Sequence, residues 1–510
     1  MTRRDFDLLI RGGELADGTG SPLRRADVGI AAGRVCVLPA DSSVTAARVH
    51  DATGQVVAPG FIDAHTHSDL TTLDDIGQAQ AHAAVLQGVT VEICGNCGDS
   101  AFPHPYGDFA AFARAHTDTG RANHLVSLVG HGTVRGSVVG HDDRAATDAE
   151  LAEMCQVLDD ALTAGAAGLS SGLIYTPGSY ADTAEVTALA AVAARHGKPY
   201  VTHLRDEMSH VEAALDEAVR IARDSGAALH VSHHKTAGKY AWGRTLRTLP
   251  RLEHLRAAGL DVTCDVYPYT AGSTALAAML PPWAHDGGPE QLLKRLGDPA
   301  ARRRMRVSIA EGVPGWENTV GNGGWDRIAV ASAARHPQLQ GRTIADIAAQ
   351  QGAEAIDVVA QLLLAEDGDV TIISHSMRED DVQRVLSTPF AIIGSDGVPK
   401  PGLPHPRWAG TFARVLGHYV RDLALLSLTE AVRKMTGATA ARFGLTGRGV
   451  LCDGAAADLV VFDPATVTDR ATFTEPLLPP AGITLVVVDG TVVVDDGAVT
   501  GARPGKLLAC

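Results

Sequence analysis

From residue 61 to residue 267 the chain repeats one kind of unit: a short apolar run that stops at Gly, Ser, His or Asp, then an Ala-rich stretch of helical period. Short apolar runs bounded by turn residues read as buried strands, and their alternation with helices demands a parallel sheet with crossovers. Eight such runs are present, at 61–67, 90–94, 125–130, 168–174, 200–203, 229–233, 261–267 and 390–394. Most of their ends lie about 30 to 40 residues apart, the length of one βα unit, and eight such units close into a barrel. The exception is the step of 129 residues from Tyr267 to Asp396. It holds helical stretches at 343–351 and 355–364 and a strand-like 370–373. An insertion at about 275–345 is therefore expected to stand over the C-terminal face of the barrel as a lid or subdomain.

The two ends of the chain have another texture. Short β-rich runs at 7–11, 26–30, 35–38 and 55–58 are matched by 458–462, 483–488 and 491–494, with Asp489-Gly490 as a hairpin turn between the last two. The fold class expected is α/β: a (β/α)8 TIM-like barrel over 59–446 and a small β-sandwich built from 1–58 and 447–510. A net charge of −15 argues against a nucleic-acid partner, whose phosphates need a basic face. No run approaches the about 20 apolar residues of a membrane span. Near the start, only Leu8, Leu9 and Ile10 form a continuous apolar run, which is no signal-peptide core. Seven cysteines in no scaffold spacing point to a reducing cytoplasm. The run Arg302 to Arg306 reads as a solvated helix face.

Chemistry is expected where the strands end. Residues two apart on a strand share a face, so His65 and His67 in APGFIDAHTHSD can reach the barrel mouth together. Cys97 follows the second strand in GNCG, His203 ends the fifth in VTHLRDE, and His233 ends the sixth in VSHHK. Singly, each reads as a structural histidine or a small buried hydrophobe. Together, at the face on which barrel active sites are built, they read as a zinc site of imidazoles and one thiolate. His234 and Cys94 are neighbours of opposite parity, expected to face elsewhere. The eighth strand ends in GSDG and offers Asp396 as a weak ligand or as general base to a water activated by the metal. The segment 312–327 holds Trp316 and Trp325, which read as structural tryptophans at the edge of a lid.

With these residues placed, the chain resembles the amidohydrolase superfamily, and within it the N-acyl-D-amino-acid deacylase (D-aminoacylase) family. The resemblance rests on APGFIDAHTH, GVTVEICGNCG, SSGLIYTPG, THLRDE, VSHHK, DVYPYTAGST, GSDG and HPRWAGTFARVLG, in that order along nearly the whole chain. It implies a tight zinc on Cys97, His203 and His233, and a second, weaker metal position on His65 and His67 with Cys97 bridging. Asp396 matches the catalytic carboxylate, and Tyr175, Lys235, Arg407 and Ser273 match the groups that receive the substrate carboxylate. The activity implied is hydrolysis of an N-acyl-D-amino acid to a carboxylate and a free D-amino acid. Relatives that open cyclic amides resemble a pattern with a carboxylated lysine on the fourth strand; here AAGLSSGLIY has none. Glu92, Cys94 and a longer step from His65 to Cys97 depart from the family pattern and imply a remodelled loop after the first strand. Two rival readings are a hydrolase of cyclic amides or other N-acyl amines, and a noncatalytic binding protein on the same fold.

Overall fold

The computed structural model describes residues 5–71 and 75–510. Part of the loop expected to be remodelled, residues 72–74, lies outside the described residues. The barrel strands are Phe61–Asp63, Val89–Cys94, His124–Ser127 with its continuation Val129–Gly130, Leu169–Gly172, Tyr200–His203, Leu229–Val231, Val262–Val266 and Ala391–Ile393. Each pairs in parallel with the next. The barrel closes where Ala64 N donates to Ile393 O at 3.1 Å and Asp396 N donates to His65 O at 2.8 Å. Ile62, Val91, Ile93, Val126, Val201 and Ile392 fill its interior. Residues of the opposite parity, such as Leu169, Tyr200, Leu229 and Val231, pack outward against the helices, as a sheet covered on both faces requires.

Both chain ends enter one ten-stranded sheet. The joint is Leu459–Phe462, antiparallel to Val56–Pro59 with Leu459 opposite Pro59 and Val461 opposite Val57. These runs are apolar without alternation because both of their faces are buried. Val57, Leu459, Val461, Leu485 and Val487 enter the core of the β domain, whereas Val56, Ala58, Val460 and Phe462 face the barrel, with Phe61 stacked on Phe412 at 5.8 Å.

The last residues depart from the sandwich assigned to 447–510. Gly505 N donates to Arg121 O, Leu125 N to Lys506 O, and Cys510 N to Gly165 O. Unpaired backbone at the starts of barrel strands binds this tail more readily than a closed sheet could, and Leu508 and Cys510 join Phe443 and Leu445 across the end of the barrel away from the site.

The long insertion forms its own packed subdomain, with an apolar core running from Leu276 to Ile372, beyond the expected end near 345. Its three-stranded sheet places Thr371–Ser374 between Gly272–Ala275 and Ile328–Ser332. The arginine run lies on the helix Pro299–Glu311. Arg302 pairs with Asp357, Arg306 with Glu354, and Arg304 stacks over Trp283.

Candidate metal centre and substrate pocket

Cys97, His233 and Asp396 stand just past their strands in left-handed backbone, at φ 53°, 32° and 53°. Nine non-glycine residues have positive φ among the described residues, and these three are the buried ones. Such conformations are costly for residues with a Cβ and collect where the surrounding structure holds a side chain to a task. The close approach of the Cys97 turn to the fourth strand requires Gly172, where a Cβ would stand 2.0 Å from Cys97 O.

The side chains converge. Cys97 Sγ lies 3.4 Å from His65 Nε2, 3.4 Å from His233 Nε2 and 3.7 Å from His203 Nδ1. His65, Cys97 and His233 are mutually within ligand reach, and so are His65, His67 and Asp396. Asp396 Oδ1 is 3.2 Å from His67 Nε2 and 3.6 Å from His65 Nε2, while its Oδ2 forms an ion pair with Arg407 Nη1 at 2.9 Å. Burial opposes charge on Asp396, but Arg407 and then the histidines outweigh it and hold the carboxyl well below its usual range. Burial pushes the Cys97 thiol far up. One S–H proton cannot serve three imidazole nitrogens. A donor set of imidazoles and one thiol fits zinc, which would hold Cys97 as thiolate.

Two carboxylates behind the centre were not singled out from the sequence. Glu207 lies 3.1 Å from His233 Nδ1, 3.3 Å from His203 Nε2 and 2.6 Å from Lys235 Nζ. Asp265 lies 3.4 Å from His65 Nδ1 and 3.0 Å from His230 Nε2, and accepts the His233 amide at 2.9 Å. A carboxylate behind an imidazole fixes its tautomer and aims its other nitrogen. That role suits Glu207 better than ligation, since Lys235 already neutralises it. The only signal for either was its place inside THLRDE and DVYPYT.

His234 turns to Thr248 Oγ1 at 2.8 Å and Cys94 to Val126 O at 3.3 Å, both away from the centre. Glu92 is buried with Arg121 at 2.9 Å and accepts from Ser68 Oγ at 2.6 Å, next to His67. Tyr175, Lys235, Ser273 and Arg407 all line a cavity of about 300 Å³ above the centre. The Tyr175 hydroxyl accepts from Thr274 Oγ1 at 3.1 Å, and Arg407 donates to the Ser273 carbonyl at 3.3 Å. Trp316 is both a wall of this cavity and part of the subdomain core, while Trp325 packs against that core.

The Amidohydrolase family profile matches residues 48–494. The chain is 40% identical to a D-aminoacylase of Alcaligenes xylosoxydans xylosoxydans, over 99% of this chain and 98% of that one. It is 37% identical to an N-acyl-D-glutamate deacylase of the same organism, over 99% and 96%. Among solved structures it resembles the N-acyl-D-glutamate deacylase of Bordetella bronchiseptica, complexed with zinc and a phosphonate mimic of the tetrahedral intermediate. That match has a TM-score of 0.84 and 37% identity, and covers 100% of both chains.

Proposed function

Because the chain belongs to the amidohydrolase family, we propose that its barrel mouth hydrolyses the amide bond of N-acyl-D-amino acids, giving a carboxylate and a free D-amino acid. The observation that carries this reading is the convergence of His65, Cys97, His203 and His233 beside a charged Asp396 at the floor of one cavity. Cys97, His203 and His233 would hold a tight zinc, and His65 and His67 a second, weaker one shared through Cys97. Zinc, when bound, supplies Lewis acidity that polarises the amide carbonyl and lowers the pKa of water.

The remaining steps belong to the chain. Asp396, kept ionised by Arg407, accepts the proton of the attacking water as the C–O bond forms. It returns that proton to the departing nitrogen as the C–N bond breaks, since an amide does not leave as an anion. Lys235, Arg407 and Tyr175, with Ser273 beside them, receive the substrate's α-carboxylate, for which cations and a phenol are suited donors. Glu207 and Asp265 keep the imidazoles aimed.

D configuration is supported by the relatives' activities, and a cytoplasmic location by seven unpaired thiols. No helix among the described residues is long and apolar enough to cross a membrane. The test is a panel of N-acetyl-D- and N-acetyl-L-amino acids beside hydantoins, with zinc quantified in the same sample. Turnover of the D series by zinc-loaded protein is expected. Turnover of only the cyclic amides would replace this reading with its hydrolase rival, and zinc-free protein that zinc does not activate would favour a binding protein.

A further inference from the structure

The cavity's deep cations are gathered at its floor. Its lining contains three Lys or Arg residues among the described residues: Lys235, Arg407 and Lys400. Lys235 and Arg407 stand at the floor, beside the proposed zinc ligands and Asp396. The third, Lys400, is partly exposed and held by Asp369 at 2.7 Å. The walls are of another kind. Met208, Ile174, Ala278, Met279, Trp316 and Val370 present apolar surface, and most of it comes from the inserted subdomain. The ionisable group that subdomain adds deep in the cavity brings no cation: it is Glu317, whose Oε2 accepts the Glu207 amide at 2.6 Å, and burial and then Glu207 push its pKa up to about 8.

Resting on the proposed deacylase function, we infer that this pocket selects N-acyl-D-amino acids with neutral, apolar side chains and rejects those with acidic ones. The α-carboxylate engages the two floor cations. A second carboxylate on the side chain would then lie against Met279, Trp316 and Glu317 with no Lys or Arg among the described residues of that wall to meet it. A buried charge without a counter-charge is costly. A thioether or branched aliphatic chain instead removes apolar surface from water on both sides of the contact.

The experiment compares kcat/KM of the zinc-loaded protein for N-acetyl-D-Met, N-acetyl-D-Leu and N-acetyl-D-Phe with N-acetyl-D-Glu and N-acetyl-D-Asp. The neutral group is expected to lead by about 100-fold, the scale on which an apolar pocket rejects an added polar group. Met279→Lys, with Ala278→Lys at a less buried point of the same wall, should narrow that ratio at least about ten-fold by giving a side-chain carboxylate a partner. Turnover of the acidic substrates as fast as the neutral ones, or a ratio that neither lysine variant moves, overturns the inference while the deacylase function stands. Failure to turn over any N-acyl-D-amino acid removes both.

Discussion

The two ends of the barrel are closed by opposite means. At one end, strands run out into imidazoles, a thiol, buried ion pairs and three side chains in left-handed backbone. At the other, Phe443, Leu445, Leu508 and Cys510 seal the interior with apolar contact and backbone hydrogen bonds to the tail. Burying Asp396, Glu207 and Asp265 carries a desolvation cost that is met only while their charged partners stay in place, whereas burying Phe443 stabilises outright. Chemistry and stability are thus assigned to different ends of one set of strands, and substitutions at each end should report on different quantities.

The largest separation is expected from Asp396→Ala. If the mouth serves the reaction, kcat should fall by about 10² to 10⁴-fold, the usual contribution of a positioned general base. Bound zinc should change little, and kcat is read per folded, zinc-loaded molecule because the variant leaves the buried Arg407 without its carboxylate. Substantial residual turnover would mean that another group moves the proton. Phe443→Ala is the converse at the sealed end. Losing a ring that is 1% exposed should destabilise the fold by about 3–5 kcal/mol, read by denaturant or thermal unfolding, with kcat/KM per folded molecule unchanged. A variant that lost activity without losing stability would break the contrast.

What the sequence disclosed follows the same division. All eight barrel strands were legible, because apolar runs cut off by turn residues carry their own boundaries. The first was read as 61–67 and ends as Phe61–Asp63, since the Asp63 carboxylate accepts the His65 amide and draws the chain out of the strand pattern. The residues picked from strand ends are ones the structure gathers at one point, because strand ends share a face whatever the detailed register. Glu207 and Asp265 were not picked: their partners lie on other strands, and only the closed barrel sets those pairings. The subdomain was placed but cut short at 345, because Thr371–Ser374 belongs to it by pairing with Gly272–Ala275, nearly 100 residues earlier. The tail was misassigned because ARPGKLLAC carries no periodicity, and its partners are backbone groups near Arg121 and Leu125.

The smallest effect expected is a pH dependence at the sealed end. His124 begins the third barrel strand, and its Nδ1 accepts the Lys506 amide of the tail at 3.2 Å. Burial, and then Arg448, push its pKa down to about 3, against the opposing pull of Asp489. Asp458 stands 3.6 Å from Nε2 but is itself paired with Arg448. In the unfolded chain the same imidazole takes up a proton near pH 6.5. Between about pH 6.5 and 3 the unfolded state therefore binds one more proton than the folded state. Stability is full above that window and falls as the pH drops through it, with a limiting slope of about 1.4 kcal/mol per pH unit from this group. His124→Asn keeps an acceptor for the Lys506 amide and removes the titration. Urea unfolding at steps from pH 7 to 4.5 should give a shallower decline for the variant than for the parent. Parallel declines would show that the tail's hold on the barrel does not depend on the neutrality of His124, and that acid acts first elsewhere in the molecule.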